Sequence, residues 1–443
     1  MSYNQIFNDI EDHFGDTVLE DLTLTQRTFP NRVLPDLHLA LAQLGDFGFK
    51  VKQFFAAQQA HQPVMQIAQL YDPSPMMPVV AGAPQYLDVD IGDDNPVRCL
   101  THGVWLLEAA GRRCAVLFYL QPGAAEFQVA APPTRGVDVA AVFFKYLEHE
   151  VEKGRSYRGK ILSLDFESSY TGQYHGLLVH RLRPVSRDAV ILPPSTLELL
   201  ERNAIRFIEQ RPKLRAAGLA TKKGLLFHGP PGTGKTHTIH YLASAVPGQT
   251  TFLITAEQVM QLSEYMTLAR MFQPSMVVIE DVDLIAQHRS QHQQPGVHSL
   301  LNKLLNEMDG LRSDADILFV LTTNRPEVLE EALAARPGRI DQAIEFPYPD
   351  EDGRAKLMRL YAHKVPMPDD VIEQAVPRTA GVSASFIKEL MRRSAQYSFE
   401  RNASEIGWAD VAAAIDELLI CGGPLNRKLL GASRASVNVT DLN

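Results

Sequence analysis

A glycine-rich segment constrains the fold of this 443-residue sequence more than any other feature. The segment fits the phosphate-binding pattern G-x-x-x-x-G-K-[ST] and consists of Gly229, Pro230, Pro231, Gly232, Thr233, Gly234, Lys235 and Thr236. The apolar run at 224–228 predicts a short buried strand, and residues 236–245 predict a helix. A strand, a loop and a helix in this order form the context in which the pattern binds phosphate. A chance glycine- and proline-rich turn is the alternative, and these flanks argue against it.

The residue types of this loop suit a nucleoside triphosphate. Glycines let the backbone curl so that its N–H groups point at phosphate oxygens, and the N-terminus of the following helix adds partial positive charge. Lys235 is expected to reach the β- and γ-phosphates, and the Thr236 hydroxyl is expected to bind Mg²⁺. We also place His237, the next residue, in the nucleotide site. ATP and Mg²⁺ are therefore the expected ligands.

A pair of carboxylates follows a second apolar run. Residues 276–279 are apolar, and Glu280 and Asp281 come directly after them, about 45 residues beyond the loop. A strand buried in a parallel sheet presents such side chains at its carboxyl end, where ligands bind in open α/β folds. Both carboxylates are candidates for holding Mg²⁺ and for polarising a water against the γ-phosphate. A solvated acidic turn is the alternative for the string taken alone.

The apolar patterns divide the chain into four parts. We predict an α+β domain over 1–187, an α/β domain with a parallel sheet and flanking helices over 188–350, a helical lid over 351–421 and a flexible tail over 422–443. In the first part, helical periodicity covers 33–59 and 137–153, and strands are predicted within 97–130, 160–166 and 177–182. In the second, a long amphipathic helix is predicted over 196–211, and strands at 251–255, 276–280, 317–322 and 343–346. The lid helices are predicted at 352–364, 369–376, 383–400 and 408–419.

Composition and simple sequence patterns argue against several classes of protein. A net charge of −9 argues against a protein that coats nucleic acid. The three cysteines are scattered without metal or disulfide spacing, which favours a reducing compartment. No apolar run has the length of a membrane-spanning helix, and the N-terminus lacks the pattern of a signal peptide. We therefore expect a cytoplasmic protein.

Residues 188–420 resemble the AAA family of P-loop ATPases, which belongs to the AAA+ superfamily. The stretches that carry the resemblance, beside the loop and the acidic strand, are 304–311 (LLNEMDGL), 320–326 (VLTTNRP) and 335–341 (ARPGRID). In order and spacing they are similar to the extended second homology region of that family. The resemblance implies ATP hydrolysis by a homo-oligomeric ring, most often a hexamer.

The resemblance also implies roles for individual residues. Asn324 resembles the polar sensor of the γ-phosphate, at the end of a strand expected between the phosphate loop and Asp281. Arg336 and Arg339 match arginine fingers that act on ATP held by a neighbouring subunit. Tyr361 stands where the family usually has a histidine near the nucleotide base. Asp309-Gly310 resembles an intersubunit signalling loop, and 381–384 resembles the lid turn that contacts nucleotide. Ordinary turns are the alternative at Asn324 and at 336–339.

Three departures from the family pattern bear on function. The family's acidic pair has the order Asp-Glu, so Glu280 takes the metal role by position and the shorter Asp281 takes the water-polarising role, which predicts slow hydrolysis. Family members that thread peptides have an aromatic residue in a pore loop, and this sequence has Gln261-Leu262-Ser263 at that position, without an aromatic residue. The nearby Tyr265-Met266 is expected in the core. The zinc-protease motif H-E-x-x-H is absent from the sequence.

The two remaining groups of histidines are expected to be ordinary polar segments and not metal sites. His149-Glu150 lacks a second histidine at helical spacing, which favours a solvated helix end. His288, His292 and His298 lie in a glutamine-rich stretch that favours a polar loop.

Three functional hypotheses follow. The leading one is an ATPase that remodels a protein or protein complex, with residues 1–187 recognising a client or adaptor. The second is an ATP-driven assembly or recruitment switch with incidental turnover, which Asp281 and the missing pore aromatic favour. The third is a nucleic-acid motor, which the acidic net charge argues against.

Overall fold

The chain divides into two compact units, Met1–Arg181 and Leu182–Asn443. The computed structural model describes residues 5–59, 62–70, 79–133, 138–164, 176–287, 304, 306–308, 310, 312, 314–327 and 339–418. The predicted tail at 422–443 and the three histidines at 288, 292 and 298 lie outside the described residues. No described helix combines the length and apolar character that a bilayer-spanning segment requires.

The first unit is built around an antiparallel sheet. Its helices are α1 (Gln5–Phe14), α2 (Leu34–Ala42) and α3 (Val139–Lys153). Its strands are β1 (Thr23–Pro30), β2 (Phe49–Gln59), β3 (Gln62–Pro63), β4 (Val79–Gly82), β5 (Tyr86–Val89), β6 (Val97–Leu100), β7 (His102–Ala109), β8 (Arg112–Gln121), β9 (Ala124–Ala131), β10 (Ile161–Leu164) and β11 (Leu177–Val179). The main sheet has the order β1-β9-β8-β7-β2-β3, and β4 also pairs with the last four residues of β2. This mixture of strands and helices confirms the predicted α+β character.

Helices cover the main sheet, which explains the long apolar runs of its central strands. Helix α1 contributes Ile6, Ile10 and Phe14 to a core that also contains Leu106 and Leu117 of the sheet. The spacing of four residues places these three side chains on one face of α1. Helix α3 packs through aromatic side chains, since the Phe143 ring contacts the rings of Phe49 and Phe127.

The prediction of helix across 33–59 is correct only for its first part. Helix α2 ends at Ala42, a 3₁₀ turn follows, and Gly48 adopts a left-handed conformation with φ of 83° before β2 begins. The pairing of β2 with β7 contains a register shift between Val51 and Gln53. Such a bulge breaks the alternation of inward and outward side chains that identifies a strand in a sequence. Val51, Phe54 and Phe55 therefore fall at spacings that resemble a helix.

The second unit begins with an α/β domain. Its strands are β12 (Lys223–His228), β13 (Thr250–Ile254), β14 (Ser275–Ile279), β15 (Ile317–Thr323) and β16 (Gln342–Glu345). Its helices are α4 (Pro194–Asn203), α5 (Ile205–Ala216), α6 (Lys235–Ala245), α7 (Leu262–Met271) and α8 (Val282–Gln287). The strands pair in parallel in the order β13-β14-β15-β12-β16. The predicted strands are confirmed, whereas the predicted single helix over 196–211 is two helices that meet at Ala204.

The order of the strands determines which side chains can meet. Strand β15 lies between β12 and β14, as predicted, so their carboxyl ends adjoin at one edge of the sheet. The phosphate loop follows β12, Glu280 and Asp281 follow β14, and Asn324 follows β15. Parallel pairing therefore brings three segments that are distant in sequence to one place.

Helices complete the second unit, as the sequence predicts. They are α9 (Glu351–Ala362), α10 (Asp369–Arg378), α11 (Ala384–Glu400) and α12 (Trp408–Asp416). Their apolar faces form one core that includes Leu357, Ile372, Phe386 and Val411. Together with the parallel sheet, this helical part confirms the predicted fold class.

Candidate functional site

The phosphate loop has the backbone that its glycines permit. Gly229, Gly232 and Gly234 adopt positive φ angles of 143°, 76° and 102°, which L side chains rarely adopt. A Cβ atom at Gly229 would also lie 2.3 Å from the carbonyl oxygen of Phe346, so no larger residue fits. Helix α6 begins at Lys235, directly after the last of these glycines. The partial positive charge of its N-terminus is therefore at the loop, where it favours an anion.

The side chain of Lys235 lies along the inside of this loop. Its Nζ donates to the carbonyl oxygens of Gly229 and Pro230 at 2.8 and 3.0 Å and to Oδ1 of Asn324 at 2.8 Å. The residue is only 7% exposed. Burial lowers the pKa of its ammonium group to about 8, and the nearby carboxylates of Asp281 and Asp283 oppose that shift. The structure thus confines a cation beside the loop that is expected to hold phosphates.

Thr236 and Glu280 present oxygen atoms to one another. The Thr236 hydroxyl donates to Oε1 of Glu280 at 2.6 Å, and the Glu280 N–H donates to Ile254 O at 3.0 Å, which fixes the start of the acidic turn. Hydroxyl and carboxylate oxygens are the donors that Mg²⁺ prefers, and nucleotide-bound Mg²⁺ takes one or two carboxylates with the substrate phosphates. Among the described residues, no three His, Cys, Asp or Glu side chains cluster so as to hold a metal alone. The pair therefore fits a Mg²⁺ ion that phosphates help to bind.

Asp281 has an unusual backbone and a perturbed carboxylate. Its φ angle is 49°, in the left-handed region that aspartate tolerates better than most residues. Burial raises the pKa of its carboxyl group, and the carboxylates of Asp283 and Glu280 raise it further, whereas Lys235 and a hydrogen bond from Asn324 act against them. A carboxylate with a raised pKa is a better proton acceptor near neutral pH.

Asn324 connects the lysine and the aspartate. Its Oδ1 accepts from Lys235, and its Nδ2 donates to Oδ1 of Asp281 at 3.1 Å. One amide thereby bridges the phosphate loop and the acidic turn. The structure brings together Lys235, Thr236, Glu280, Asp281 and Asn324, all of which the sequence singles out.

Contacts at the loop's other residues involve the helical part and the chain before α4. The Ser385 N–H donates to Gly232 O at 3.0 Å, and a Cβ atom at Gly232 would lie 3.0 Å or less from the hydroxyls of Ser385 and Ser383. A ring nitrogen of His237 is 3.0 Å from Ala189 O. The predicted lid turn at 381–384 thus lies next to the phosphate loop.

Of the other predicted residues, Arg339 lies away from this cluster, Tyr361 belongs to the helical part, and two are outside the described residues. Arg336 and Asp309 are outside them. The backbone of Arg339 lies beside Gly224, at the end of β12 opposite to the phosphate loop. Tyr361 packs against the core of the C-terminal helices, and burial raises the pKa of its phenol.

The place of the family's pore loop is part of helical structure here. A 3₁₀ turn at Ala256–Gln261 leads into α7, and Leu262, Tyr265 and Met266 are fully buried. This confirms that Tyr265 and Met266 belong to the core. Met260, at 64% exposure, is the large apolar side chain that this segment presents to solvent.

Sequence reasoning missed Asp283, Thr322 and Thr323. The Asp283 carboxylate accepts hydrogen bonds from the Thr323 hydroxyl and the Asn324 N–H, and the Thr322 hydroxyl accepts from the Asp281 N–H. A third carboxylate two residues after Asp281 is visible in the sequence, but its partners depend on how β14 and β15 are aligned.

The fold and this cluster define a P-loop nucleotide-binding α/β domain. Residues 225–348 match the family described as "ATPase family associated with various cellular activities (AAA)". These residues are therefore a domain of the AAA family.

The chain is also similar to curated proteins that are named for ATP-dependent or nucleotidase activity. An ATP-dependent zinc metalloprotease FtsH of Cutibacterium acnes (strain SK137) is 32% identical over 240 residues, which are 51% of this chain and 32% of the relative. A proteasome-activating nucleotidase of Methanoculleus marisnigri is 31% identical over 271 residues, 57% of this chain and 64% of the relative. The nucleotidase of Methanocaldococcus jannaschii is 28% identical over 283 residues, 60% and 61% of the two chains. The chain thus spans between about a third and two thirds of the length of these relatives.

Replacement of Lys235 by alanine tests the site. Because Lys235→Ala removes the cation that the loop confines, we expect nucleotide affinity to fall by about 10²-fold, as for the loss of a charged hydrogen-bonding group. Titration with a fluorescent ADP analogue measures the effect. Lys213→Ala, at an exposed position of α5, is the control and should bind normally. Equal affinity of the two variants would show that nucleotide binds elsewhere.

Proposed function

We propose that this chain binds Mg²⁺-ATP at the phosphate loop and hydrolyses its β–γ phosphoanhydride bond. The observation that carries the proposal is the amide bridge of Asn324 between Lys235 and Asp281. It unites a phosphate-binding cation, a polar side chain and a proton-accepting carboxylate at the carboxyl ends of three adjacent strands.

Each side chain has a distinct part in this reaction. The loop amides and Lys235 bind the β- and γ-phosphates. Thr236 and Glu280 would hold Mg²⁺, which would neutralise negative charge on the phosphate oxygens. Asp281 accepts the proton of the attacking water, and its raised pKa suits that task. Asn324 orients the water and the γ-phosphate by donating from its amide.

The length of Asp281 predicts slow turnover. Aspartate is shorter than glutamate by one C–C bond, about 1.5 Å. A misplacement of about 1 Å can lower a rate by about 10². The left-handed backbone and the Asn324 amide fix the direction of this short side chain. The attacking water must therefore lie closer to Asp281 than it would to a glutamate.

We further propose that the catalytic arginines come from a neighbouring copy. The Arg339 backbone lies beside Gly224, five residues before Gly229, and a strand advances about 3.3 Å per residue, which separates Arg339 from its own loop by roughly 16 Å. An arginine side chain does not span that distance. Arg339 would thus act across the interface of a ring. The family resemblance assigns the same role to Arg336 and implies a hexamer.

The proposed work of the ring is remodelling of a protein or protein complex. Relatives named as an ATP-dependent metalloprotease and as a proteasome-activating nucleotidase support a protein client. Residues 1–187 would recognise that client or an adaptor. We do not extend the protease activity to this chain, because its sequence has no H-E-x-x-H motif.

An assembly switch is the second candidate. Burial of Leu262, Tyr265 and Met266 in α7 leaves no aromatic side chain at Gln261-Leu262-Ser263 to grip a threaded peptide. If ATP binding alone drives assembly and partner recruitment, a variant that cannot hydrolyse ATP should retain both. If remodelling requires turnover, the same variant should assemble but leave its client unchanged.

Replacement of Asp281 by asparagine tests the proposed proton acceptor. Because Asp281→Asn keeps the size of the side chain and an oxygen for the Asn324 amide, we expect ATP affinity within about threefold of wild type and a turnover at least about 10²-fold lower. Phosphate release and nucleotide titration measure the two quantities. Asp352→Asn, at an exposed position of α9, is the control. Wild-type turnover in Asp281→Asn would remove Asp281 from the mechanism.

Replacement of Arg336 by alanine tests the intersubunit site. If a neighbouring copy completes the site, wild-type activity per subunit should rise with protein concentration, while Arg336→Ala should stay about 10³-fold or more below it. Phosphate release over a dilution series provides the measurement. Arg312→Ala, at a position that is 86% exposed, should behave as wild type. Identical activity of wild type and Arg336→Ala at every concentration would contradict an arginine supplied in trans.

A further inference from the structure

Strand β15 extends beyond the strand that it pairs with. Ile279, the last residue of β14, lies opposite Leu321, and β15 continues through Thr322 and Thr323. The two threonines therefore overhang the acidic turn that follows β14. Both are buried, with Thr322 at 2% and Thr323 at 0% exposure.

The overhanging threonines bond to the acidic turn. The Thr322 hydroxyl accepts the Asp281 N–H at 3.0 Å. The Thr323 hydroxyl donates to Oδ1 of Asp283 at 2.9 Å, and that same oxygen accepts the Asn324 N–H at 3.2 Å. The Thr323 oxygen also accepts the Arg325 N–H at 2.9 Å, so the turn after β15 is held on both sides of Asn324.

We propose that Asp283 and Thr323 are positioning residues that hold Asn324 against Asp281 for ATP hydrolysis. The inference rests on the proposed ATPase function. Neither residue is among the groups expected to contact nucleotide or Mg²⁺. They act through Asn324, because Asp283 accepts from its main-chain N–H and Thr323 directly precedes it in the chain.

The geometry explains why this support matters. The Asn324 amide must meet Lys235 through its oxygen and Asp281 through its nitrogen at the same time. A rotation of the backbone at 323–325 would break at least one of these bonds, and a displacement of about 1 Å can lower a rate by about 10². Hydrogen bonds on two consecutive residues remove that freedom.

The buried carboxylate itself favours a directional role. Asp283 is 3% exposed, and a carboxylate at that depth is costly unless hydrogen bonds satisfy it. Apolar residues of similar size would join β14 to β15 without that cost. A carboxylate instead provides an acceptor of defined direction for the Thr323 hydroxyl and the Asn324 N–H.

This role predicts separate effects on turnover and on ADP binding. ADP lacks the γ-phosphate that Asn324 is expected to meet, so its affinity depends on the loop and on Lys235. Loss of the Thr323–Asp283 bond should therefore lower kcat and leave ADP affinity unchanged. A residue that only supports the fold would lower both together with the unfolding temperature.

The test compares Thr323→Val with Thr323→Ser in the full chain. Valine keeps the shape of threonine without the hydroxyl, and serine keeps the hydroxyl. We expect kcat to fall about 10- to 100-fold in Thr323→Val and to stay within about threefold of wild type in Thr323→Ser, with ADP affinity within about threefold in both. Thr379→Val is the matched control, because Thr379 is a fully buried threonine whose hydroxyl donates to Ala375 O in the helical part. Its kcat should stay within about threefold of wild type.

Asp283→Asn tests the same positioning role independently if Thr323→Val does not fold. Asparagine keeps an oxygen that can accept both hydrogen bonds but removes the charge that strengthens them, so kcat should fall at least about threefold at unchanged ADP affinity. The inference is overturned if folded Thr323→Val or Asp283→Asn retains wild-type kcat. It is also overturned if Thr323→Ser loses as much activity as Thr323→Val, or if ADP affinity falls in parallel with kcat. Wild-type protein without Mg²⁺-dependent ATP turnover would instead reject the proposed function, and this inference with it.

Discussion

A single side-chain amide links the two halves of the candidate site. Asn324 accepts from the Lys235 ammonium and donates to the Asp281 carboxylate. Lys235 is buried and Asp281 is partly buried, and removing such charges from water is unfavourable without hydrogen-bonding partners. The bridge exists because β15 lies between β12 and β14 in a parallel sheet. A change in the order or register of these three strands would separate the phosphate loop from the acidic turn. The parallel sheet is therefore the element that brings the side chains of the candidate site together.

The surroundings of the bridge tune its charges. Burial lowers the pKa of Lys235 and raises that of Asp281. In both residues the uncharged form is therefore more favourable than it is in water. Glu280 and Asp283 lie on either side of Asp281 in the sequence and disfavour a third negative charge. Bound Mg²⁺ would add positive charge near Glu280 and Thr236, which favours the ionised form of Asp281. The arrangement thus suits a carboxylate whose basicity depends on the ligand.

The helical part of the second unit contributes directly to the loop. Ser385 donates its N–H to Gly232 O, and the hydroxyls of Ser383 and Ser385 lie within 3.0 Å of the position that a Cβ atom at Gly232 would take. Movement of α11 would therefore move these contacts with the phosphate loop. If nucleotide at the loop displaced these serines, the start of α11 would move with them, which fits both the proposed remodelling and the proposed switch.

Much of the fold could be predicted from local pattern, whereas the finer contacts could not. The loop, the short apolar strands and the amphipathic lid helices have strong signals, because each is buried in a regular way. The apolar spacing of residues 49–59 predicts a helix and is wrong, since a bulge disrupts the strand alternation. The break at Ala204 has no glycine or proline to signal it. The Thr323–Asp283 bond depends on two strands ending two residues apart, which spacing alone does not reveal.

A structure with Mg²⁺ and a non-hydrolysable ATP analogue would test the role of the Asn324 bridge most directly. If the bridge acts as proposed, the γ-phosphate lies about 3 Å from both the Lys235 Nζ and the Asn324 Nδ2, with Thr236 and Glu280 at the metal. Asp281 should face the side of the γ-phosphate from which water attacks. A triphosphate that is bound in the loop but contacts neither Lys235 nor Asn324 would contradict the central role assigned to the bridge.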